Sequence, residues 1–241
     1  MGCGDAFGSG GRFNTCFVVD DCHGRFTIDF GATSLTALQA GGLDPKSIDL
    51  IVLSHLHGDH FGGLPFLLMH KEFVASEKRP LTIAGPPGFG QRLRALHECL
   101  YPGSWKNTWS FDLDIVEVEP GRSVQLGERA LLSETVNHYA GPEPCTALRI
   151  TTSSRTIAYS GDTGWTDVLV PLANDSDLFI CECNDLHDQP YEGHISYQTL
   201  SAQFDRLKTK RLVLTHLGPE MLAAAANLEV ESVIDGMEIL L

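Results

Sequence analysis

The stretch His55-Leu-His57-Gly58-Asp59-His60 places three imidazoles and a carboxylate within six positions. Histidines two positions apart do not share a helix face, so their spacing suits an extended or turning backbone, which Gly58 makes easier. Imidazole nitrogen and carboxylate oxygen are donors that zinc prefers. One metal ion has little use for all four side chains, so Asp59 and His60 are expected to serve a second ion. The stretch therefore predicts a metal site.

Three further candidate ligands lie later in the chain, where strand-like runs end. They are His138 in TVNH, Asp162 in YSGDT and His216 in LVLTH. Residues at strand ends can converge on one rim of a sheet, and the two oxygens of Asp162 could bridge two ions. Taken singly, each is more typical of an ordinary strand-end or turn residue. The cluster at 55–60 is what favours a role as ligands.

Strand-like and helix-like segments alternate along the chain, which predicts sheet layers covered by helices. The predicted helices are 33–42, 64–78, 88–100 and 195–207. The predicted strands are 16–20, 24–30, 48–55, 81–85, several within 111–136, a hairpin over 145–163, 177–184, 210–217 and 229–241. The opening MGCGDAFGSGG is predicted to form a tight loop, in which glycine lets backbone segments approach closely.

Composition limits the classes of protein to consider. The 241 residues fit one large domain or two small ones, and no apolar run reaches the length that spans a bilayer. The net charge of −14 argues against a long nucleic-acid track. The seven cysteines are scattered without a CxxC pair, which favours reduced thiols and a cytoplasmic location.

The pattern HLHGDH, with a later histidine, the aspartate of GDT and a final histidine, resembles the metallo-β-lactamase superfamily. The resemblance covers nearly the whole chain. It implies one domain over residues 1–241 with an α/β fold, the four-layer αβ/βα sandwich, and a site for two metal ions on one edge. A homodimer is implied by the resemblance only.

The resemblance also divides the candidate ligands between two ions. The resemblance implies that the first ion is bound by His55, His57 and His138. It implies that the second ion is bound by Asp59, His60 and His216, and that Asp162 bridges the two ions. Asp29 in TIDFG resembles an early strand-end aspartate that supports the metal loop by accepting an imidazole N–H. The alternative for Asp29 is an ordinary turn residue.

The segments ICECN, GHIS and VLTHLGP resemble the ribonuclease Z branch of this superfamily. That resemblance implies that Glu182 and His194 assist phosphodiester cleavage. The opening GDAFGSGGRFNT fits the same branch, and the closing DGMEI resembles bacterial cyclic-phosphate phosphodiesterases. The chain departs from the tRNA-processing members, because only a hairpin separates His138 from Asp162 and no long tRNA-gripping arm is present there. The structural Cys/His zinc site of the cyclic-phosphate enzymes is also missing.

The expected function is a dinuclear metal-dependent phosphodiesterase acting on a small or cyclic phosphodiester or a short RNA. A metal-bound hydroxide would attack phosphorus while Asp59 orients this nucleophile. His194, kept protonated by Glu182, would donate to the leaving group. Zinc is the first expectation for both ions, and manganese, iron or nickel would suit the same donors.

Two alternatives stay open from the sequence. The same site could hydrolyse acyl groups, as a lactonase, thioesterase or β-lactamase-like enzyme, and His194 would then be less necessary. The fold could instead serve as a non-catalytic nucleic-acid-binding module, although no candidate ligand is lost. Without the family resemblance, His194 would be interpreted as a residue near a helix N-terminus with no chemical role.

Overall fold

Strands from the first half of the chain form one sheet. In chain order they are β1 (Phe17–Asp21), β2 (Gly24–Ile28), β3 (Ile48–Val52), β4 (Leu81–Gly85) and β5 (Leu113–Glu117). Neighbours in the sheet follow this order; β1 and β2 are antiparallel and the other pairs are parallel. This computed structural model describes residues 1–106 and 108–241.

Strands from the second half form another sheet. They are β6 (Ser123–Leu126), β7 (Arg129–Thr135), β8 (Thr146–Thr151), β9 (Thr156–Tyr159), β10 (Leu178–Glu182), β11 (Leu212–Thr215) and β12 (Glu231–Ser232). Their spatial order is β12-β11-β10-β9-β8-β7-β6, antiparallel from β6 to β9 and parallel from β9 to β12. The predicted strands are confirmed, except that the closing strand over 229–241 shrinks to β12. The Asp235 carboxylate instead accepts the backbone N–H groups of Cys3 and Phe13, at 3.1 and 2.8 Å, and so ties this segment to the start of the chain.

Helices cover the outer faces of the sheets. The α-helices are α1 (Ser34–Ala40), α2 (Gly58–Phe61), α3 (Leu64–Phe73), α4 (Phe89–Leu100), α5 (Leu169–Ala173), α6 (Tyr197–Ser201) and α7 (Pro219–Ala224). Short 3-10 turns occupy Ser9–Gly11, Pro45–Ser47, Ser104–Lys106, Phe204–Arg206 and Ala225–Asn227. Among the described residues, no helix is long and apolar enough to cross a membrane.

Two predicted helices end earlier than the sequence pattern indicates. The helix predicted over 64–78 ends at Phe73, because the Lys78 ammonium donates to the last-turn carbonyl of Lys71 at 2.7 Å and closes the end. The helix predicted over 195–207 begins with a Ser196 cap but tightens after Ser201, where the Gln203 N–H donates to the Leu200 carbonyl in 3-10 spacing.

Alternation along the strands builds a four-layer arrangement. Leu50 and Val52 of β3 face the other sheet, whereas Ile51 points to the layer of α1, α3 and α4. Likewise Ile180 of β10 faces the first sheet, and Phe179 packs beneath α5, α6 and α7. The α/β sandwich predicted from the family resemblance is confirmed, and the apolar segment LPFLLM of α3 packs largely into this core.

The carboxyl ends of β3, β7, β9 and β11 lie at one edge of the sandwich, where the two sheets are joined. The Ser54 carbonyl, just after β3, accepts hydrogen bonds from the backbone N–H and the hydroxyl of Thr146 at the start of β8, at 3.0 and 2.8 Å. The segments that follow these four strands carry the candidate ligands, so the fold gathers residues that are distant in sequence.

Candidate metal centre

The segment after β3 turns sharply into the single-turn helix α2, which begins after His57 and contains Asp59 and His60. This helix lies against the end of β2: a Cβ on Gly31 would stand 2.0 Å from the Asp59 carbonyl oxygen, so only glycine fits there. The Phe30 N–H donates to the His60 carbonyl at 2.6 Å and holds the turn in place.

Three imidazoles and a carboxylate converge in what we call the first group. Its members are His55, His57, His138 and Asp162. His57 Nδ1 lies 3.2 Å from both His55 Nε2 and His138 Nε2, and the Asp162 Oδ2 atom lies 3.8 Å from His55 Nε2. These side chains come from three separate strand ends, so the edge of the sandwich brings them together.

A second group shares Asp162 with the first. Its members are Asp59, His60, Asp162 and His216. His60 Nε2 lies 3.1 Å from Asp59 Oδ2 and 3.2 Å from Asp162 Oδ2. His216 Nε2 lies 3.3 Å from each of the same two oxygens. The arrangement divides the candidate ligands as the family resemblance implies, with Asp162 between the groups.

Metal ions fit this set of donors. Although fully buried, His60 Nε2 and Asp162 Oδ1 have no hydrogen-bond partner among the described residues, which is costly unless another group satisfies them. Burial, then neighbouring imidazoles, lowers the pKa of His55 and of His57, so both rings are neutral, as ligands must be. Burial alone would raise the pKa of Asp59, but the charge of His60 and the hydrogen bond from His216 lower it overall.

Asp29 orients the second group from beneath. Its carboxylate lies 2.7 Å from His60 Nδ1, and it accepts the backbone N–H and the hydroxyl of Ser54, each at 2.7 Å. The Ser54 hydroxyl also lies 3.0 Å from His55 Nδ1. These contacts turn the Nε2 atoms of both histidines towards the groups. Asp29 adopts a left-handed backbone (φ 58°), which the strand-to-turn transition requires.

His138 and His216 are positioned by backbone atoms. The Gly193 carbonyl accepts from His138 Nδ1 at 2.7 Å, which directs its Nε2 to the first group. His216 has a left-handed backbone (φ 60°), and its N–H donates to the Cys3 carbonyl at 3.1 Å. The predicted close approach in the opening loop occurs here, since a Cβ on Gly2 would stand 2.0 Å from the Asn14 carbonyl oxygen. The loop therefore supports the segment that carries His216.

Glu182, which is fully buried, and His194, whose side chain is 21% exposed, form a pair beside both groups, and together with His216 they make a third set of side chains that could hold a metal ion. Glu182 Oε1 lies 2.8 Å from His194 Nδ1 and also accepts the Thr163 N–H at 2.8 Å. The His194 ring lies 5.0 Å from the His138 ring and 5.3 Å from the His216 ring, centroid to centroid. Burial by itself lowers the pKa of His194, but the charge and hydrogen bond of Glu182 raise it to about 9. His194 therefore carries a proton on both ring nitrogens at neutral pH.

Sequence reasoning missed two residues that position the candidate ligands. Ser54 joins Asp29 to His55, and its place directly before the HxHxDH run was the available signal. Gly193 holds His138 through its carbonyl, and nothing in the segment EGHIS pointed to that contact, because backbone acceptors leave no mark on residue type.

Comparison with known proteins identifies the family. The family described as "Anti-Pycsar protein Apyc1" matches residues 1–237. The uncharacterized protein Rv1339 of Mycobacterium tuberculosis is 34% identical over 196 residues, which cover 80% of this chain and 69% of that protein. The chain spans about two thirds of the length of such mycobacterial relatives. The probable metallo-hydrolase YhfI of Bacillus subtilis is 26% identical over 222 residues, covering 90% of this chain and 85% of that protein.

Solved structures share the fold. The short form of human tRNase Z superposes with a TM-score of 0.78 at 24% identity, covering 99% of this chain and 96% of that one. The structure of YhfI, described as a metallo-β-lactamase fold protein, gives a TM-score of 0.77 at 22% identity, covering 98% and 96%. A diphosphatase from the PhnP family gives 0.77 at 16% identity, covering 100% and 95%.

YhfI is named a probable metallo-hydrolase, and this chain shares its fold and carries candidate metal-binding groups of histidine and acidic residues. The match over residues 1–237 makes this chain a member of the family described as "Anti-Pycsar protein Apyc1", and its fold is the metallo-β-lactamase fold.

Proposed function

We propose that the protein is a dinuclear metal-dependent phosphodiesterase acting on a small or cyclic phosphodiester, such as a cyclic nucleotide, or on a short RNA. The observation that carries the proposal is the Glu182–His194 pair next to both ligand groups. An acyl hydrolase needs the metal site but has little use for a separate cationic acid at this place. Relatives whose names include ribonuclease Z and a PhnP-family diphosphatase support the same class of chemistry.

The first and second groups would each hold one divalent ion, with zinc as the first expectation for both. Two ions held there would supply a water that ionises near neutral pH and positive charge beside the phosphoryl oxygens. Besides the shared Asp162, the first group contains three imidazoles, whereas the second contains two imidazoles and the carboxylate of Asp59, so the two positions differ in charge.

The chain's own residues would handle the protons. Because the Asp59 Oδ2 atom lies against His60 and His216, its other oxygen is left to orient the attacking water, whose proton passes to solvent since the pKa of Asp59 is lowered. The water oxygen bonds to phosphorus as the bond from phosphorus to the leaving oxygen breaks. His194 Nε2 gives its proton to that leaving oxygen, since Nδ1 is held by Glu182.

Two features limit the class of substrate. The net charge of −14 disfavours a long RNA, whose many phosphates need a basic track. A short hairpin, β8 and β9, fills the segment where tRNA-gripping arms occur in the ribonuclease Z branch. A single phosphodiester that reaches the metal groups and His194 is therefore the favoured substrate. The cytoplasmic location and the homodimer stay predictions.

A substrate panel tests the proposal. The purified protein, loaded with zinc or manganese, would be assayed on bis(p-nitrophenyl) phosphate, cyclic nucleotides and a short RNA, beside a p-nitrophenyl ester and a lactone. We expect turnover of phosphodiesters that is lost in His55→Ala. Turnover of the ester or lactone alone would overturn the proposal in favour of acyl hydrolysis. Tight RNA binding without any turnover would favour the non-catalytic module.

A further inference from the structure

A cavity of about 240 Å³ opens beside His194, and none of the described residues that line it belongs to the first or the second group. Its walls include Asn137, Trp165, Tyr191 and Thr199, and His194 forms part of the boundary. The His194 ring also stacks on the ring of His216, a candidate ligand. His194 therefore stands between the second group and this cavity. A substrate whose leaving oxygen meets His194 therefore has this cavity beside it.

Tyr191 lines the cavity, and its ring packs on the backbone of Gly193. A Cβ on Gly193 would stand 2.2 Å from atoms of the Tyr191 ring, so the ring lies directly on the glycine backbone. Gly193 does not have a left-handed φ, so its conformation alone does not call for glycine. The ring does. The Gly193 carbonyl also accepts the hydrogen bond from His138 Nδ1, which fixes the Tyr191 segment relative to the first group.

The ring is nevertheless open to solvent. Tyr191 is 60% exposed, and its ring centroid lies 6.3 Å from that of His194. The loop beneath it is well anchored, because the Asp188 carboxylate accepts the hydroxyl protons of Ser196 and, at 2.7 Å, Thr199. An exposed aromatic face on a fixed loop is a preorganised surface for stacking, since little ordering is needed on binding.

Polar atoms line the rest of the cavity. Asn137 contributes a carboxamide, of which the nitrogen donates weakly to the Glu192 carbonyl at 3.4 Å. Thr199 and Asp188 contribute oxygens. An aromatic face with nearby amide and carboxylate groups matches a nucleobase, which offers both a planar π surface and hydrogen-bonding edges. An alkyl group would use neither, and a bare sugar would use the hydrogen-bonding groups but not the aromatic face.

We propose that Tyr191 is a specificity-determining residue that stacks on the nucleobase of the substrate, and that the cavity beside His194 receives this base on the leaving-group side of the phosphodiester. The inference rests on the proposed phosphodiesterase function and adds which residue selects a base-bearing substrate. Loss of the stacking partner is expected to raise KM for such a substrate by about 10- to 100-fold, with a much smaller change in kcat.

The test compares cyclic nucleotides with a ribose cyclic phosphate that lacks the base. Tyr191→Ala should raise KM for the cyclic nucleotide and leave kcat/KM for the abasic compound within about twofold of wild type. Tyr191→Phe keeps the ring and should restore the wild-type KM. Phe73→Ala is the matched control. Like Tyr191, Phe73 is an exposed aromatic residue (70%), but it lies at the far end of α3, about 13 Å along the helix from the end next to the site.

The outcomes separate this inference from the proposed function. Equal losses on the two compounds, or no change in either, would overturn the role of Tyr191 while leaving phosphodiesterase activity intact. A wild-type protein that hydrolyses neither compound would overturn both. Metal content and melting temperature of each variant distinguish a misfolded protein from a specific loss, and Tyr191→Phe gives a second reading if Tyr191→Ala misfolds.

Discussion

The His194 ring stacks on the His216 ring, with centroids 5.3 Å apart and planes inclined by 18°. One ring belongs to the Glu182–His194 pair and the other to the second group of candidate ligands. This contact places the proposed proton donor directly against a ring of the proposed metal site. A donor so placed can serve a leaving group on phosphorus without being a ligand itself.

We expect His194→Ala to lower kcat for phosphodiesters by about 10²- to 10⁴-fold, the usual contribution of a positioned acid. Metal content should stay at the wild-type value, because the candidate ligands keep their own supports. Steady-state kinetics together with elemental analysis measure both. Glu182→Gln should give a smaller loss and shift the pH profile, since the partner that raises the pKa of His194 is gone.

The control for these variants is His187→Ala. His187 lies in the same loop and is exposed, and it belongs to neither ligand group. Its replacement should leave turnover unchanged. Wild-type turnover in His194→Ala would show that His194 is not the proton donor.

Asp29→Ala should weaken metal binding by about 10- to 100-fold, because His60 loses the partner that orients its ring. A competition titration with a chelator measures the affinity. The metal affinity of Asp29→Asn should lie between those of the wild type and Asp29→Ala, since asparagine tolerates the left-handed backbone and keeps only part of the hydrogen bonding.

Backbone strain at Asp29 needs its own control. Asp175 has almost the same left-handed backbone (φ 56°) but is exposed and outside the ligand groups. Asp175→Ala should lower stability slightly and leave metal affinity unchanged. If Asp175→Ala and Asp29→Ala weakened metal binding equally, the orienting role of Asp29 would be wrong.

Lys71→Met should stabilise the protein. Lys71 is 2% exposed, and its ammonium has no hydrogen-bond partner among the described residues, only the Phe111 ring at 5.5 Å. A buried polar group without a partner costs about 1–3 kcal/mol of unfolding free energy, which methionine of similar shape would recover. Urea unfolding measures the difference. Lys78→Met should instead destabilise, because Lys78 closes the end of α3.

Lys71 also makes the free energy of unfolding depend on pH. Burial lowers the pKa of Lys71 in the folded protein below its usual 10.5. Between the lowered value and 10.5, the unfolded chain binds more protons, so the wild type gains stability as pH rises. The Lys71→Met variant lacks this gain, and its advantage should shrink over that window. An advantage that stays constant with pH would contradict the buried charge.

Arg129 joins the sheets on the side opposite the metal groups. From β7 its guanidinium donates to Asp21 at 2.9 and 3.0 Å and to Asp49 at 2.9 Å. The Arg129 side chain is 7% exposed, that of Asp21 8% and that of Asp49 34%, so Arg129→Met would leave one nearly buried and one partly exposed carboxylate without a partner and lower stability by less than the about 3–5 kcal/mol of a fully buried pair. Adding Asp21→Asn should restore part of the loss; if it lowers stability further, the ion pair is not the cause.

The fold and the candidate ligands were predictable because each carries a strong local signal. Alternating apolar strands and the HxHxDH run need no knowledge of distant contacts. The sheet edge then brings His138, Asp162 and His216 to that run, as the strand-end pattern predicts.

What the sequence could not show depends on contacts between distant segments. Lys78 ends α3 by reaching back to its carbonyls, and Asp235 keeps the last segment out of the sheet by bonding to Cys3 and Phe13. The helices α5 and α7 are too short for a periodic pattern. The backbone support of His138 by Gly193 is invisible in residue types, and so is the platform it makes for Tyr191.

The most direct test of the central claim is metal titration of the stripped protein, with hydrolysis of a cyclic nucleotide as the readout. The account predicts no turnover without metal and a rate that rises until two equivalents of zinc or manganese are bound. His60→Ala should then bind fewer than two equivalents and lose the rate. Full turnover by the chelated protein, or a maximal rate at one equivalent, would contradict a dinuclear phosphodiesterase.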